Sequence, residues 1–179
     1  IDTLISIEKI IGTDHNDTFY SDLNANNTFV GGTQDVSGAD IIDYAHMTVA
    51  DETRDYVYLD LSNQTAIVKQ NNATTATDKF SEIEEFILTS GNDTIKGNSD
   101  ANNRNGGLGS DAVRYDYLTT GENVTVNFNT NSATTTVAGD NDTYTSIENV
   151  FGSSGNDTFI MNAIDDVENT INGGTDGVD

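Results

Sequence analysis

A sequence element that recurs three times restricts the folds open to this chain. A segment containing Ile-Glu leads into Asn-Asp-Thr at residues 16–18, 92–94 and 156–158. A Gly-Gly pair follows in each copy, at residues 31–32, 106–107 and 173–174. Such repetition is typical of proteins built from stacked units, each burying its apolar face against the next. We therefore expect three modules in one continuous solenoid, at residues 1–81, 82–145 and 146–179, the third stopping part-way through the repeat.

Short apolar runs separated by polar turns predict strands rather than helices. The runs at residues 57–61 and 124–128 alternate in polarity and are rich in β-branched and aromatic side chains, as strands are. Gly, Asn, Asp and Ser cluster between the runs, as they do in turns. The 179 residues include no proline, so every strand residue keeps its backbone N–H. The prediction is an all-β fold, a parallel β-roll or β-helix solenoid with irregular β spacer segments.

The charge balance indicates that the chain binds cations. Asp and Glu number 30 against 7 Lys and Arg, the formal net charge is −23, and only 35% of residues are hydrophobic. Such a chain buries too little apolar surface to offset the entropy of folding, and without cysteine it has no disulfide to compensate. Divalent cations would compensate, because hard cations prefer carboxylate and carbonyl oxygens. The same charge repels nucleic acid and anionic membranes, and no apolar stretch is long enough for membrane insertion.

One segment carries a calcium-binding repeat. Residues 106–114 read Gly-Gly-Leu-Gly-Ser-Asp-Ala-Val-Arg and match in full the nonapeptide G-G-x-G-x-D-x-U-x, in which U is a large apolar residue. The nonapeptides 88–96 and 97–105 precede it in the same register. In this segment the chain resembles the RTX family of secreted bacterial proteins. Residues 45–78 and 116–142 are not nonapeptides and resemble the spacers between short calcium runs in very large RTX-type surface proteins.

The resemblance implies a parallel β-roll with Ca²⁺ between stacked turns. The first six residues of each nonapeptide would form a turn whose glycines adopt backbone angles that other residues avoid. The carbonyl groups of the turn would point inward, and its aspartate would supply a carboxylate. The last three residues would form a strand with an apolar residue in the core. Each turn would stack on the next turn but one, and one stacked pair per module gives about three Ca²⁺ ions.

This register assigns candidate metal ligands in each module. In the first, turn 12–17 should stack on the turn ending at residue 40, and the candidates are Gly12, Asp14, Asn16, Asp17, Gly31, Gly32, Asp35, Gly38 and Asp40. In the second, turn 88–93 should stack on turn 106–111, and the candidates are Gly91, Asn92, Asp93, Gly106, Gly107, Gly109 and Asp111. In the third, turn 152–157 should stack on turn 173–179, and the candidates are Gly155, Asn156, Asp157, Gly173, Gly174, Asp176 and Asp179.

Two departures from the repeat carry expectations of their own. Arg104 occupies the strand position where an apolar residue belongs, so we expect its strand to face solvent. Residues 34–37 interrupt the first Gly-Gly turn, either adding Asp35 as a ligand or bulging away. Tyr44 and Tyr115 occupy equivalent positions and are expected to pack between coils rather than to bind a ligand.

The sequence offers little support for catalysis. The only two histidines are His15 and His46, and His15 lies inside a proposed turn, where it is expected to be a turn residue rather than a base. Calcium-dependent polysaccharide lyases combine Ca²⁺ with a Lys or Arg base, but no basic residues cluster here. We predict no catalytic and no cofactor-binding residue other than those for calcium, and no enzymatic activity.

Two functions remain after these exclusions. The first is a calcium-dependent structural repeat region of an extracellular bacterial surface protein, either an adhesin, an S-layer or a filament. Its partners would be calcium, neighbouring copies of the chain or a cell-surface polysaccharide. The alternative is the C-terminal secretion and folding region of an exported hydrolase, lyase or epimerase. Such regions usually carry longer nonapeptide runs than the three found here, which favours the first. Both place the chain outside the cell, because cytosolic calcium is too low to fill such sites.

Overall fold

The computed structural model describes residues 7–22, 24–33, 38–161, 169–175 and 177–179. Within these ranges the chain forms strands, turns and bends and no helix, so the predicted all-β class is confirmed. The strands described are β1 (Lys9–Ile11), β2 (Thr18–Tyr20), β3 (Thr28–Val30), β4 (Ile41–Asp43), β5 (Tyr56–Asp60), β6 (Thr65–Gln70), β7 (Ala73–Ser81), β8 (Glu85–Ile87), β9 (Thr94–Lys96), β10 (Asn103–Asn105), β11 (Ala112–Arg114), β12 (Val124–Asn127), β13 (Ser132–Thr135), β14 (Asn141–Thr145), β15 (Asn149–Phe151), β16 (Thr158–Ile160) and β17 (Thr170–Asn172).

These strands form two mixed sheets. Sheet A has the order β1-β3-β7-β6-β5-β9-β11-β15-β17, and sheet B the order β16-β12-β13-β14-β10-β8-β4-β2. Consecutive three-residue strands alternate between the sheets, so β8 pairs in parallel with β10, and β9 with β11. Turns that lead from sheet A to sheet B therefore stack on one side, and turns that lead back stack on the other.

The middle residue of each short strand faces the space between the sheets. Because side chains alternate along a strand, a three-residue strand buries only its middle side chain on one face. Phe86, Ile95 and Val113 occupy such positions and are completely buried. They are separated by multiples of nine residues, as expected for nonapeptides of six turn residues and three strand residues.

The two spacers fold as antiparallel additions to the sheets. Strands β5, β6 and β7 form an antiparallel unit in sheet A whose outer strands pair in parallel with β9 and β3. Strands β12, β13 and β14 do the same in sheet B, against β16 and β10. Consecutive spacers thus enter opposite sheets.

The expectation that the strand of Arg104 faces solvent is wrong. The Arg104 side chain is completely buried, with Nη1 2.5 Å from Asp142 Oδ2 and Nη2 3.2 Å from Asn102 Oδ1. Pairing of β10 with β8 and β14 directs the middle residue of the strand inward whatever its polarity. Asp142 neutralises the buried guanidinium, and this makes an inward arginine tolerable.

The two equivalent tyrosines pack in the core, as expected, and each binds a buried aspartate. The hydroxyl of Tyr44 donates to Asp78 Oδ2 at 2.9 Å, and that of Tyr115 to Asp142 Oδ2 at 3.2 Å. Both tyrosines are completely buried. Because these aspartates end the spacers, each hydrogen bond fixes where a spacer returns to its sheet.

Candidate metal-binding turns

Two kinds of turn stack at the sides of the sheets. We name residues 12–17, 88–93 and 152–157 the Asn-Asp turns, and residues 31–40, 106–111 and 173–179 the Gly-Gly turns. In all three modules, the aspartate N–H of the Asn-Asp turn donates to Oδ1 of the aspartate that ends the Gly-Gly turn. The pairs are Asp17 with Asp40 at 2.8 Å, Asp93 with Asp111 at 2.8 Å and Asp157 with Asp179 at 2.9 Å. The predicted turn pairs are therefore present as stacked structures.

Glycines allow the stacked turns to approach closely. Gly32, Gly107 and Gly174 have positive φ angles of 118°, 99° and 106°, which side-chain-bearing residues rarely adopt. A Cβ atom at each would collide with the carbonyl oxygen of Thr13, Thr89 or Ser153 in the paired turn. The Gly-Gly pairs of the repeat are thus required by backbone contact between turns.

The asparagines of the Asn-Asp turns tie one turn to its neighbour. The side-chain oxygen of Asn92 accepts a hydrogen bond from Ser110 N at 2.9 Å, and that of Asn156 accepts one from Val178 N at 2.8 Å. In the first module the Asn16 amide lies against Gly38. The amide oxygens of Asn92 and Asn156 thus accept backbone N–H groups of the paired Gly-Gly turn.

The aspartate of each Asn-Asp turn is satisfied within its own turn. The residue four positions before this aspartate is Thr13, Thr89 or Ser153. The backbone N–H and the hydroxyl of that residue both donate to the aspartate carboxylate. The N–H bonds measure 2.5, 2.8 and 2.6 Å in chain order. Donors of this kind stabilise the ionised carboxylate without any ion.

Two aspartates of the Gly-Gly turns lack these donors. Gly107 stands four residues before Asp111, where the Thr or Ser would be, and Oδ2 of Asp40 and of Asp111 is buried without a hydrogen-bond partner. The two residues are 0% and 1% exposed. Burial raises the pKa of Asp111 to about 9; the backbone N–H of Asp93 opposes this, and the carboxylate charges of Asp93 and Glu148 add to it. Burial also raises the pKa of Asp93 to about 7. A buried, unpartnered carboxylate oxygen is costly unless a positive charge approaches it.

These turns fit a hard divalent cation. Ca²⁺ accepts carboxylate and backbone carbonyl oxygens together, and both point into the stacked turns. In the part of the chain that the structure describes, no group of three or more His, Cys, Asp or Glu side chains is placed to hold a metal. The ligand set would therefore consist mainly of backbone carbonyls, with the unpartnered Oδ2 of Asp40 or Asp111 as the carboxylate ligand. Whether the candidates bind calcium stays a prediction.

The candidate Asp14 lies away from the stacked pairs. Asp14 is exposed and contacts His15 Nδ1 at 2.7 Å. Gly91 and Gly155, in contrast, lie inside the stacks: each contacts a spacer carbonyl, of Asp55 or Glu122, and its own carbonyl oxygen lies against Gly109 or Gly177 of the paired Gly-Gly turn. The candidates Asp35 and Asp176 lie outside the described residues.

Two of the Asn-Asp turns contact a spacer in addition to their paired Gly-Gly turn. Val57 N donates to Asp93 Oδ1 at 2.6 Å, and Val124 N donates to Asp157 Oδ1 at 2.8 Å. These Asn-Asp turns thus lie between a Gly-Gly turn and a spacer, which leaves no bare carboxylate oxygen at Asp93 or Asp157.

Two glutamates also belong to the stacks and were not among the candidates. Glu84 Oε2 accepts a hydrogen bond from Asp40 N, and Glu148 Oε2 accepts one from Asp111 N, both at 2.9 Å. The sequence carries a signal for them, because each lies nine residues before the aspartate of an Asn-Asp turn. We name residues 82–84 and 146–148 the Ile-Glu turns.

The sequence matches no protein-family model and no curated protein. Across the described ranges, no helix is long and apolar enough to cross a membrane. The functional argument therefore rests on the geometry and chemistry of the turns.

Proposed function

We propose that this chain is a calcium-dependent structural repeat region of an extracellular bacterial surface protein, folded as a parallel β-roll with antiparallel spacers. The observation that carries this proposal is the pair of buried, unpartnered oxygens, Asp40 Oδ2 and Asp111 Oδ2. Both lie in stacked glycine turns at equivalent positions of the repeat. Calcium would supply the missing positive charge there and would hold adjacent turns together.

A structural role is supported by where the acidic groups lie. They are built into the turns that connect the two sheets, so ion binding is coupled to folding of the backbone. The completely buried tyrosines and the Arg104–Asp142 pair are likewise packed inside the molecule. These features favour a scaffold whose partners are calcium and neighbouring copies or a surface polysaccharide, and they lend no support to an enzyme.

The expected energies make calcium decisive for folding. Extracellular modules bind calcium with Kd values of about 10⁻⁴–10⁻³ M. A site filled at ten times its Kd adds about 1.4 kcal/mol, so three sites add about 4 kcal/mol. Domains have a total stability of only about 5–15 kcal/mol. Millimolar calcium outside the cell would fill these sites, whereas the lower cytosolic concentration would leave them empty and the chain unfolded until export.

Calcium withdrawal tests the proposal directly. We expect the far-UV circular dichroism spectrum to show a β-rich chain in 5–10 mM (about ten times Kd) calcium and a largely disordered chain in excess EGTA. Magnesium at the same concentration is the control, because its smaller ion requires a more rigid octahedral site. A spectrum that EGTA leaves unchanged, with no heat of calcium binding by calorimetry, would refute the proposed function.

A further inference from the structure

The Ile-Glu turns are the part of the repeat whose role the nonapeptide pattern does not explain. They follow β7 and β14 and contain three residues instead of the six of a nonapeptide turn. Ile83 and Ile147 are buried at 8% and 6% exposure, which anchors each turn to the core. We propose that each Ile-Glu turn completes the cation site at the unpartnered aspartate oxygen of the Gly-Gly turn on which it packs, with Glu84 and Glu148 as its acidic residues.

The direction of the unpartnered oxygens supports this placement. In Asp40 and Asp111, Oδ1 is the atom that accepts the N–H of the paired Asn-Asp turn. The remaining atom, Oδ2, lies beside the first glycine of its own turn, where the carbonyl oxygen of the Ile-Glu turn also arrives. At Gly31 the two converging oxygens are Asp40 Oδ2 and the Glu82 carbonyl. At Gly106 they are Asp111 Oδ2 and the Ser146 carbonyl.

Nothing in the described structure neutralises these converging oxygens. No hydrogen bond to the carbonyl oxygen of Glu82 or Ser146 is present among the described residues, and both Asp Oδ2 atoms are unpartnered. Two electronegative atoms that approach each other without a donor repel, and the repulsion is strongest where burial lowers the local dielectric. A divalent cation with an oxygen preference removes that repulsion.

The backbone of the Ile-Glu turns is shaped for this contact. Glu82 and Ser146 have φ angles of 57° and 54°. These angles lie in the left-handed region, which costs a residue with a side chain about 1–2 kcal/mol. The same conformation at both copies brings a carbonyl group over the glycine.

The first copy of the motif supplies an internal control. Glu8 has the same place before its Asn-Asp turn, yet it is exposed and Ile7 is 47% exposed. Among the described residues, its carboxylate makes no hydrogen bond to a Gly-Gly turn. The variant E8Q therefore removes the same charge from the same motif without removing a site.

Calorimetric titration of calcium into the chain tests the inference, which rests on the proposed function. In the variant E84Q/E148Q, glutamine keeps an oxygen that can accept the N–H of Asp40 or Asp111. We expect the number of bound calcium ions to fall by about two per chain, while E8Q retains the full number. The single variants E84Q and E148Q should each lose about one ion.

The outcomes separate the two proposals. If the unaltered chain binds no calcium, the proposed function fails and this inference fails with it. If the unaltered chain binds calcium, and E84Q/E148Q and both single variants match E8Q in stoichiometry and affinity, only the role of the Ile-Glu turns is overturned. Should the double variant not fold in saturating calcium, the single variants decide by the same comparison.

Discussion

At the scale of single residues, one buried strand position of the repeat holds an aromatic residue in one module and a charged residue in another. Phe29 and Arg104 are both the middle residue of a short strand, two residues after Asn27 and Asn102, and both are buried. The backbone N–H of each asparagine donates to a buried aspartate, Asp78 or Asp142. In the second module the guanidinium of Arg104 approaches Asp142. In the first module, the donors to Asp78 among the described residues are the uncharged groups of Ser21, Asn27 and Tyr44.

Removal of Arg104 is expected to destabilise the second module severely. In R104L, Asp142 keeps its buried carboxylate but loses its cation, and breaking a buried ion pair from one side costs about 3–5 kcal/mol. Burial already raises the pKa of Asp142 despite Arg104. The free energy of unfolding in urea at saturating calcium measures the loss.

The matched control for this change is R114L. Arg114 pairs with Asp116 on the surface at 2.6 Å, where both side chains are partly exposed, and such pairs contribute about 0–1 kcal/mol. R104L/D142N should recover part of the stability lost in R104L, because no buried charge remains and the amide oxygen can still accept the N–H of Asn102. Equal losses for R104L and R114L would contradict the buried role of Arg104.

At the scale of elements, the spacers are fixed by local turn chemistry that the solenoid pattern does not contain. Strands β6 and β7 are joined by the two residues Asn71 and Asn72, whose φ angles are 49° and 63°. Two consecutive positive φ angles define a type I′ turn, which matches the twist of antiparallel strands and favours Asn and Gly. This hairpin sets the register in which β7 returns to pair with β3.

A substitution at Asn72 tests the hairpin. A β-branched side chain is strained in the left-handed region, so N72V should lower the free energy of unfolding by about 1–2 kcal/mol. N72G should be neutral or slightly stabilising, because Asn-Gly is the preferred type I′ pair. Urea unfolding at saturating calcium compares the two variants. Equal stability of N72V and N72G would contradict the turn type.

At the scale of the whole molecule, the acidic charge determines how stability depends on pH. Burial raises the pKa of Asp93 and Asp111 to about 7 and about 9. Asp93 and Glu148 face Asp111 from the adjacent turns. Without calcium, the folded state binds protons at these sites more tightly than the unfolded chain does. The contribution of these two aspartates to the stability of the folded state is therefore complete at the ordinary carboxyl pKa of about 4. It is lost as the pH rises to about 9.

A second group of carboxylates works in the opposite direction. Backbone N–H donors lower the pKa of Asp55 and Glu122, so their contribution is present above the ordinary carboxyl range and is lost as the pH falls through it. The two groups together place the maximum stability of the calcium-free chain at mildly acidic pH.

Calcium should reverse this dependence on pH. We expect the calcium-stripped chain, which is largely disordered, to regain more β-structure at pH 5.5 than at pH 8.5, pH values on either side of about 7. Calcium competes with protons for the carboxylates, so its affinity should be higher at pH 8.5 than at pH 5.5. Far-UV circular dichroism of the stripped chain and calorimetry of calcium binding, both at the two pH values, make the measurement. A β-structure content of the stripped chain that rises with pH would contradict the assignment of raised pKa values to the turn aspartates.

The sequence alone determined the features that depend on local chemistry and on period. Nine-residue spacing placed Ile95 and Val113 in the core, and the Gly-Gly pairs marked turns that require close backbone approach. The surplus of carboxylates and the low apolar content by themselves favoured cations as ligands. Such features follow from one short segment at a time, because a glycine turn and a three-residue strand have few alternative conformations.

Only the tertiary structure decided which groups face each other across distant segments. Arg104 is a polar residue in an apolar position by sequence, and it is buried because Asp142, 38 residues away, meets it there. Glu84 and Glu148 join the turn stacks because the spacers return the chain to the side of Asp40 and Asp111. The physical reason is common to both: the free energy of a buried charge depends on a partner that chain topology supplies, and local sequence does not encode that topology.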